Sequence, residues 1–261
     1  MNAKRLSFNG NDPVARPSYL ARLLDVIDVA VTHERAPLPM SEIAAAAGVP
    51  VSTASRLLGL LGEHGFLVQL PDAGYAAGPR LLRVAMGAIE RLRDTDRLKA
   101  AVEALSDQAG ESASAGLLVG DEIVLVARKE PTHSLRAVAR VGDIIAPHTS
   151  AMGKAILSRL PAQRRAAVLR AAVGEDADAT LDRLEEELAT ATADGYAVDE
   201  GTFTVGLRCR AAPLLDGDGH AVGGLSIAGP AARFTPEHAE SCLPALRAQV
   251  AALSPTPRST A

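Results

Sequence analysis

Ser41-Glu42-Ile43-Ala44-Ala45-Ala46-Ala47-Gly48-Val49-Pro50-Val51-Ser52-Thr53-Ala54-Ser55-Arg56-Leu57-Leu58 decides how the first third of the chain folds. The Ala-rich run Ser41 to Ala47 reads as a short helix, and Gly48 suits the left-handed conformation that ends helices. Val49-Pro50 closes the turn. Ser52 can then cap a second helix, whose buried stripe is Ala54, Leu57, Leu58, Leu61 and, past the helix end, Phe66. That leaves Ser52, Thr53, Ser55 and Arg56 on the opposite face. Upstream, Leu20, Leu23, Leu24, Ile27 and Val31 fall at helical spacing, so a helix runs from Ser18 to about Thr32 and breaks at Ala36-Pro37-Leu38-Pro39. Downstream, Leu67 to Leu70 and Gly74 to Ala77 form two short strands around Pro71-Asp72-Ala73-Gly74, a sequence suited to a tight turn. Helix, helix, turn, helix, hairpin is the order of a winged helix-turn-helix, here spanning 18–78. Residues 1–17 are polar and aperiodic and read as a mobile arm, carrying Lys4, Arg5 and Arg16.

Beyond the hairpin, Gly78-Pro79 opens a helix of about Arg80 to Arg93 with Leu81, Leu82, Ala85, Ile89 and Leu92 on one side, because proline is tolerated at a first helical position. Residues 79–95 serve as a linker. A further helix runs to Ala109, and residues 96–253 form a second, larger domain. Leu117 to Val119 and Ile123 to Val126 flank Gly120-Asp121-Glu122 as a hairpin, and Leu135 to Val141 adds a strand. Ser150 to Arg159, Ala162 to Ala172 and Leu181 to Ala193 are helical. Arg208 to Leu215 and Ala221 to Ile227 make a hairpin around Asp216-Gly217-Asp218-Gly219. Thr235-Pro236-Glu237 starts a last helix ending near Leu253, and 254–261 is a frayed tail. Strands and helices in this order suggest an antiparallel sheet flanked by helices, so the expected class is α+β.

Composition narrows the functions. A chain of 261 residues accommodates two cores. No stretch reaches the roughly 18 uninterrupted apolar residues of a membrane helix, and Met1 to Pro17 has no apolar signal region; the expected setting is the cytoplasm, without membrane partners. Cys209 and Cys242 are the two cysteines, and neither has a metal-ligand spacing, which argues against disulfides or structural zinc. The net charge of -4 is concentrated in the C-terminal part: residues 1–80 hold seven basic and seven acidic residues, and the remainder 20 basic and 24 acidic. A sequence-specific reader of DNA needs local Arg, Ser and Thr rather than a basic chain, with a dimer doubling its phosphate contacts. The major groove admits one helix, and short hydroxyls with one Arg reach base edges and phosphates. Gly153-Lys154 is not a phosphate-binding loop, because the preceding glycine spacing is missing and Ala155 replaces the magnesium-binding hydroxyl.

The segment quoted first resembles the IclR family of bacterial transcription regulators, in which an Ala-rich helix, a Gly-hydrophobic-Pro turn and a Ser-Thr-x-x-Arg-Leu-Leu recognition helix precede a wing. Four further segments are similar to that family in the same order: Arg140 to Leu157 with its Ser150-Ala151-Met152-Gly153-Lys154-Ala155 core, Gly195 to Glu200, Gly206 to Pro213, and Leu225 to Pro230. The resemblance spans about residues 18–253. It implies a GAF-like effector-binding domain after the linker helix, and a regulator, a repressor, whose operator binding is modulated by a small molecule and which needs no cofactor. DNA contacts would come from Arg22, Val51, Ser52, Thr53, Ser55, Arg56 and Tyr75. Val51 stands where the family often has a polar or basic residue and is suited to touch a thymine methyl. The effector site would be lined by Ile145, His148, Asp199, Leu207, Cys209, Ser226 and Ala228, the last standing where some relatives carry a second hydroxyl. A homodimer or dimer of dimers, a palindromic operator and a small carboxylic, aromatic or sugar-derived acid as effector complete what the likeness implies.

Each of these residues also has a plainer reading. Arg56 is an ordinary surface residue when taken alone, Cys209 a small buried hydrophobe in a strand, Asp199 the cap of a turn after Gly195-Tyr196, and His148 a loop hydrogen-bonder. His238 and Cys242, four apart on a helix, fit a polar face better than a metal pair. The competing function is a redox sensor or small-molecule enzyme with Cys209 as nucleophile, which requires a nearby base and a lowered thiol pKa.

Overall fold

The computed structural model describes residues 18–71, 74–91, 95–133 and 139–254. The expected arm, the end of the tail and most of the expected strand Leu135 to Val141 lie outside these residues. The chain divides into two compact units, Met1–Arg93 and Asp94–Ala261.

In the first unit Ser18 opens α1 (Tyr19–Thr32), its hydroxyl accepting the Ala21 N–H at 3.1 Å, which satisfies one of the donors a helix start leaves over. Of the expected helical run, Leu23, Ile27 and Val31 pack against the cluster of Val26 and Ala30, whereas Leu20 and Leu24 do not. Those two are 61% and 39% exposed, because the small Ala30 and the β-branched Val26 turn inward instead. α2 (Met40–Ala47) ends at Gly48 with φ 66°, and the Val49 N–H returns to the Ala44 carbonyl at 3.0 Å. α3 (Val51–Glu63) begins two residues earlier than the Ser52 cap predicts. Pro50 is the cap: its carbonyl accepts Thr53 and Ala54 N–H groups at 2.9 and 3.0 Å, with no side-chain bond. Ser52 is therefore spared from capping. β1 (Leu67–Leu70) and β2 (Gly74–Ala77) pair antiparallel with Leu67 opposite Ala77 and Leu70 opposite Gly74. The Tyr75 N–H bonds the Leu38 carbonyl at 2.9 Å, and at Gly74, with φ +101°, a Cβ would lie 2.0 Å from that same oxygen. Glycine is required there to seat the hairpin on the segment after α1. Val26, Leu38, Ile43, Leu57, Leu58 and Leu67 form the core. α4 (Pro79–Arg91) follows; of its expected apolar side Leu81 is half-buried, whereas Leu82 and Ile89 face solvent.

The second unit starts with α5 (Thr95–Ala109) and contains β3 (Ser112–Val119), β4 (Glu122–Lys129), β5 (Ile144–Ile145), α6 (Ala151–Ser158), α7 (Ala162–Val173), α8 (Ala177–Asp194), β6 (Ala197–Asp199), β7 (Leu207–Leu215), β8 (Ala221–Pro230), α9 (Pro236–Ser241) and α10 (Leu243–Leu253). All pairings in its six-stranded sheet are antiparallel, in the order β5-β4-β3-β8-β7-β6. One face packs against α6, with Met152, Ile156, Leu169, Leu184 and Leu188 in its cluster. The other packs against α5 and α10 through Leu105, Leu225, Ile227, Phe234 and Leu246. The expected single last helix is broken at Cys242, since Pro244 supplies no N–H and its ring crowds the carbonyl four residues back. Among the described residues no single helix is long and apolar enough to cross a membrane.

Candidate functional site

Two surfaces carry the expected residues, one in each unit. On α3, Ala54, Leu57, Leu58 and Leu61 are buried while Val51, Ser52, Ser55 and Arg56 are exposed and Thr53 is half-buried. The 3.6-residue period sorts the helix into an anchoring face and a presented face. Arg56 does not simply extend into solvent: its guanidinium carbon lies 5.2 Å from the ring centroid of Tyr19 at the start of α1. Stacking on the ring holds the cation at the junction of α1 and α3 without using its donors. Arg22 is one turn along α1 from Tyr19 and half-buried. Tyr75 packs its side chain against the core cluster of this unit, fixing the base of the hairpin. Sequence reasoning passed over Tyr19, whose signal would have been an aromatic residue immediately after a helix cap.

An exposed cation–π pair is worth about 0.5–1 kcal/mol. With α3 as the DNA-reading helix that the resemblance implies, Tyr19→Ala should thus weaken DNA binding about 2- to 5-fold per helix, while Tyr19→Phe keeps wild-type affinity. In an Arg56→Ala background the Tyr19→Ala loss should vanish; a full additional loss in titrations of the double variant would dissociate the ring from the guanidinium.

In the second unit the sheet register assembles a polar wall. Asp199 pairs with Cys209, Cys209 with Ala228, and Ala228 with Ser112. Cross-strand partners share a face, so these four side chains form a row. Two residues along, Ala197, Ala211, Ser226, Ser114 and Arg128 form a parallel row. Leu207 extends the Cys209 side. Ile145, on β5 opposite Ile123, belongs to the apolar cluster that Cys209 packs against, and His148 is half-buried in the loop between β5 and α6. The wall thus gathers Asp199, Cys209, Ser226 and Ala228 on adjacent strands, and adds Ser112, Ser114 and Arg128, which sequence reasoning missed.

Asp199 is 3% exposed, and its carboxylate accepts the Thr202 N–H at 2.7 Å and the Phe203 N–H at 3.3 Å, so it organises the loop that leads into β7. Bonds to a charged acceptor contribute about 1.5–3 kcal/mol. Asp199→Ala should therefore raise chymotryptic cleavage after the exposed Phe203 by at least about tenfold, measured by limited proteolysis. An unaltered cleavage rate would mean the carboxylate does not hold the loop.

Cys209 is partly buried, and burial, followed by the neighbouring Asp199 carboxylate, pushes its thiol up to about 12; Arg210, Lys154 and a hydrogen bond with Ser226 oppose the rise. A thiol with that pKa is protonated at neutral pH and is a poor nucleophile. Burial also pushes the Cys242 thiol up. Alkylation of Cys209 by iodoacetamide in the native protein at pH 8 should run about a thousandfold slower than that of a free cysteine, whose pKa is about 8.5, and accelerate above pH 10. Rapid labelling at pH 8 would restore the nucleophile reading.

The sequence matches two family models: "IclR helix-turn-helix domain" over residues 20–71 and "Bacterial transcriptional regulator IclR C-terminal" over residues 86–255. The HTH-type transcriptional regulator BhcR of Paracoccus denitrificans is 30% identical over 221 residues, covering 83% of this chain and 78% of that protein. The transcriptional repressor IclR of Escherichia coli is 28% identical over 212 residues, covering 78% and 77%. Among solved structures, an IclR homolog from Microbacterium hydrocarbonoxydans complexed with 4-hydroxybenzoate superimposes with a TM-score of 0.72 at 23% identity, covering 91% of this chain and 98% of that one, a likeness of fold.

Proposed function

The chain belongs to the IclR family of bacterial transcriptional regulators, and on that footing we propose that it is a cytoplasmic repressor that binds a palindromic operator as a dimer and responds to a small organic acid. The observation that carries the reading is the sorting of α3: four buried apolar residues anchor it, and Val51, Ser52, Ser55 and Arg56 face outward. In this reading that outward face enters the major groove, with Thr53 at its margin and with Arg22 and Tyr75 contacting the flanking backbone. A two-fold dimer puts two such helices into successive grooves, so the half-site centres lie about 34 to 36 Å apart or a multiple of it. Self-association is supported by Leu82, Met86 and Ile89, which repeat at helical spacing on α4 and are about half exposed or more. An apolar stripe of that kind is unfavourable in water and favours a partner.

The effector site in this reading is the wall of Asp199, Leu207, Cys209, Ser226 and Ala228, completed by Ile145 and His148. Polar groups on a mostly apolar wall are what a small polar metabolite requires. A ligand changes operator affinity only by its differential affinity for the two DNA-binding arrangements, typically ~1 to 3 kcal/mol. The IclR homolog solved with 4-hydroxybenzoate supports an acid of that size as effector. The Cys209 enzyme reading draws no support from a thiol held protonated. Nuclease protection of genomic fragments, including the region beside the chain's own gene, tests the proposal: a protected palindrome is expected, and the absence of any protected site contradicts it.

A further inference from the structure

We propose that at Gly59 the sugar-phosphate wall of the operator packs directly on the backbone of α3, so that the helix lies lengthwise against the DNA instead of entering the groove by its first turn alone. The inference deepens the reading that this face of α3 meets DNA and rests on it. α3 is 13 residues long, yet two of its interior positions, Gly59 and Gly62, are glycines. Both are exposed. A glycine inside a helix costs stability relative to alanine, because its unfolded backbone has more freedom to lose. Each therefore needs a reason.

The described residues supply none. A Cβ added at Gly59 or Gly62 would meet no atom within 4 Å, and neither position has the positive φ that disfavours side chains. Glycines that the fold does require look different: at Gly78 a Cβ would lie 2.4 Å from the Gly65 carbonyl oxygen, and at Gly153 2.4 Å from the backbone of Pro147. The remaining use of a glycine is to let a ligand come close to the backbone.

Position on the helix says what comes close. With 3.6 residues per turn, Gly59 falls about 20° around the axis from Ser52, about 40° from Ser55 and about 60° from Arg56, and about 10 Å along it from Ser52. It is thus in the middle of the presented face. A helix with its side chains is about 10–12 Å across and the major groove about 12 Å wide, so a bare turn lets the groove wall approach more closely than any side chain would. The Gly59 N–H is spent inside the helix, which leaves Cα hydrogens to meet deoxyribose and phosphate oxygens. Hydroxyls and a guanidinium around the glycine suit a polyanion, whereas the apolar residues that suit a second copy, Leu82, Met86 and Ile89, stand on α4. Glu63, the last residue of α3, lies on the same side and is repelled by phosphate, so the contact ends before it.

The test measures stability and DNA affinity on the same variants of the full chain. The probe is a duplex that the wild type selects from a random-sequence library, and the variants are Gly59→Ala, Gly59→Leu and, as a control, Gly87→Ala in α4, where a Cβ is equally unobstructed. Each alanine should raise the melting temperature of the first unit by about 2–8 °C, as a better helix former does. Gly59→Ala should nonetheless bind the duplex about fivefold or more weakly per half-site, and Gly59→Leu more weakly still, as overpacking of a close contact costs. Gly87→Ala should bind as the wild type does. Stability and affinity moving in opposite directions separates a contact with DNA from a part in the fold. Wild-type affinity in both Gly59 variants, or a lowered melting temperature in Gly59→Ala, overturns the assignment and leaves the regulator reading intact. An equal loss of affinity in Gly87→Ala assigns the effect to helix stiffening and overturns it too. A loss that sedimentation traces to weaker self-association sets a second copy of the chain against Gly59 and overturns the choice of DNA. Failure of the wild type to select any duplex overturns the regulator reading itself, and the inference with it.

Discussion

Arg56→Ala should lower operator affinity about 5- to 150-fold per half-site at fixed salt, the loss of about 1–3 kcal/mol that a well-formed Arg contact to DNA contributes. Arg56 is exposed on the face of α3 opposite Leu57 and Leu58, and its guanidinium is stacked over Tyr19 and forms no ion pair with a carboxylate among the described residues. Stacking leaves the in-plane donors available, and a planar group held at the shoulder of the helix is placed for the phosphates bordering the groove. Binding to non-operator DNA should weaken in parallel, and the slope of log K against log salt should fall by about one for each phosphate that is no longer neutralised by the protein. Arg56→Lys keeps the charge and loses the fork and most of the stacking, so it should recover part of the affinity. Unchanged operator affinity in Arg56→Ala would remove α3 from the DNA contact surface at this position.

Arg233→Ala should destabilise the second unit by about 3–5 kcal/mol, the cost of leaving a buried charge without its partner. Glu111 is 1% exposed, and its two oxygens accept Arg233 Nε at 2.5 Å and Nη2 at 2.7 Å. The pair joins the entrance of β3 to the turn after β8, two places far apart in the chain. A Cβ at Gly229 would lie 2.5 Å from the same carboxylate, so the ion pair occupies a space that the backbone leaves for it. Truncating Arg233 strands the carboxylate, whereas Glu111→Leu with Arg233→Met removes both charges and should recover most of the loss. Urea unfolding followed by a probe in the second unit measures both, because a two-unit chain need not unfold in one step. A loss under about 1 kcal/mol for Arg233→Ala would mean that water reaches Glu111.

The first unit was legible because its punctuation is chemical. Gly48 ends α2 with a positive φ, and leucines at helical spacing bury one side of α3, although its cap is Pro50 rather than Ser52. Misreadings arose where side-chain size, rather than hydrophobicity, decides. Leu20 and Leu24 belong to the apolar helical run, yet they are 61% and 39% exposed while the smaller Val26 and Ala30 are fully buried. Likewise Ser112-Ala113-Ser114-Ala115-Gly116 has low strand propensity and reads as a loop, although its strict alternation places Ala113 and Ala115 in one cluster and both serines on the opposite face. Starting β3 at Leu117 hid the two serines, and ending β4 at Val126 hid Arg128. Asp199, Cys209 and Ser226 came from resemblance, and what set them side by side is a register of strands that are separated by loops and a hairpin in sequence, which no local period encodes.

The central claim is that the Ser52–Arg56 face of α3 lies in a major groove. Methylation interference on a protected operator tests it directly, since guanine N7 faces that groove and adenine N3 the minor one. The account predicts that N7 methylation within each half-site abolishes binding and that Arg56→Ala diminishes the affinity of the unmethylated site. Interference confined to adenine N3, or full binding to N7-methylated half-sites, would contradict it.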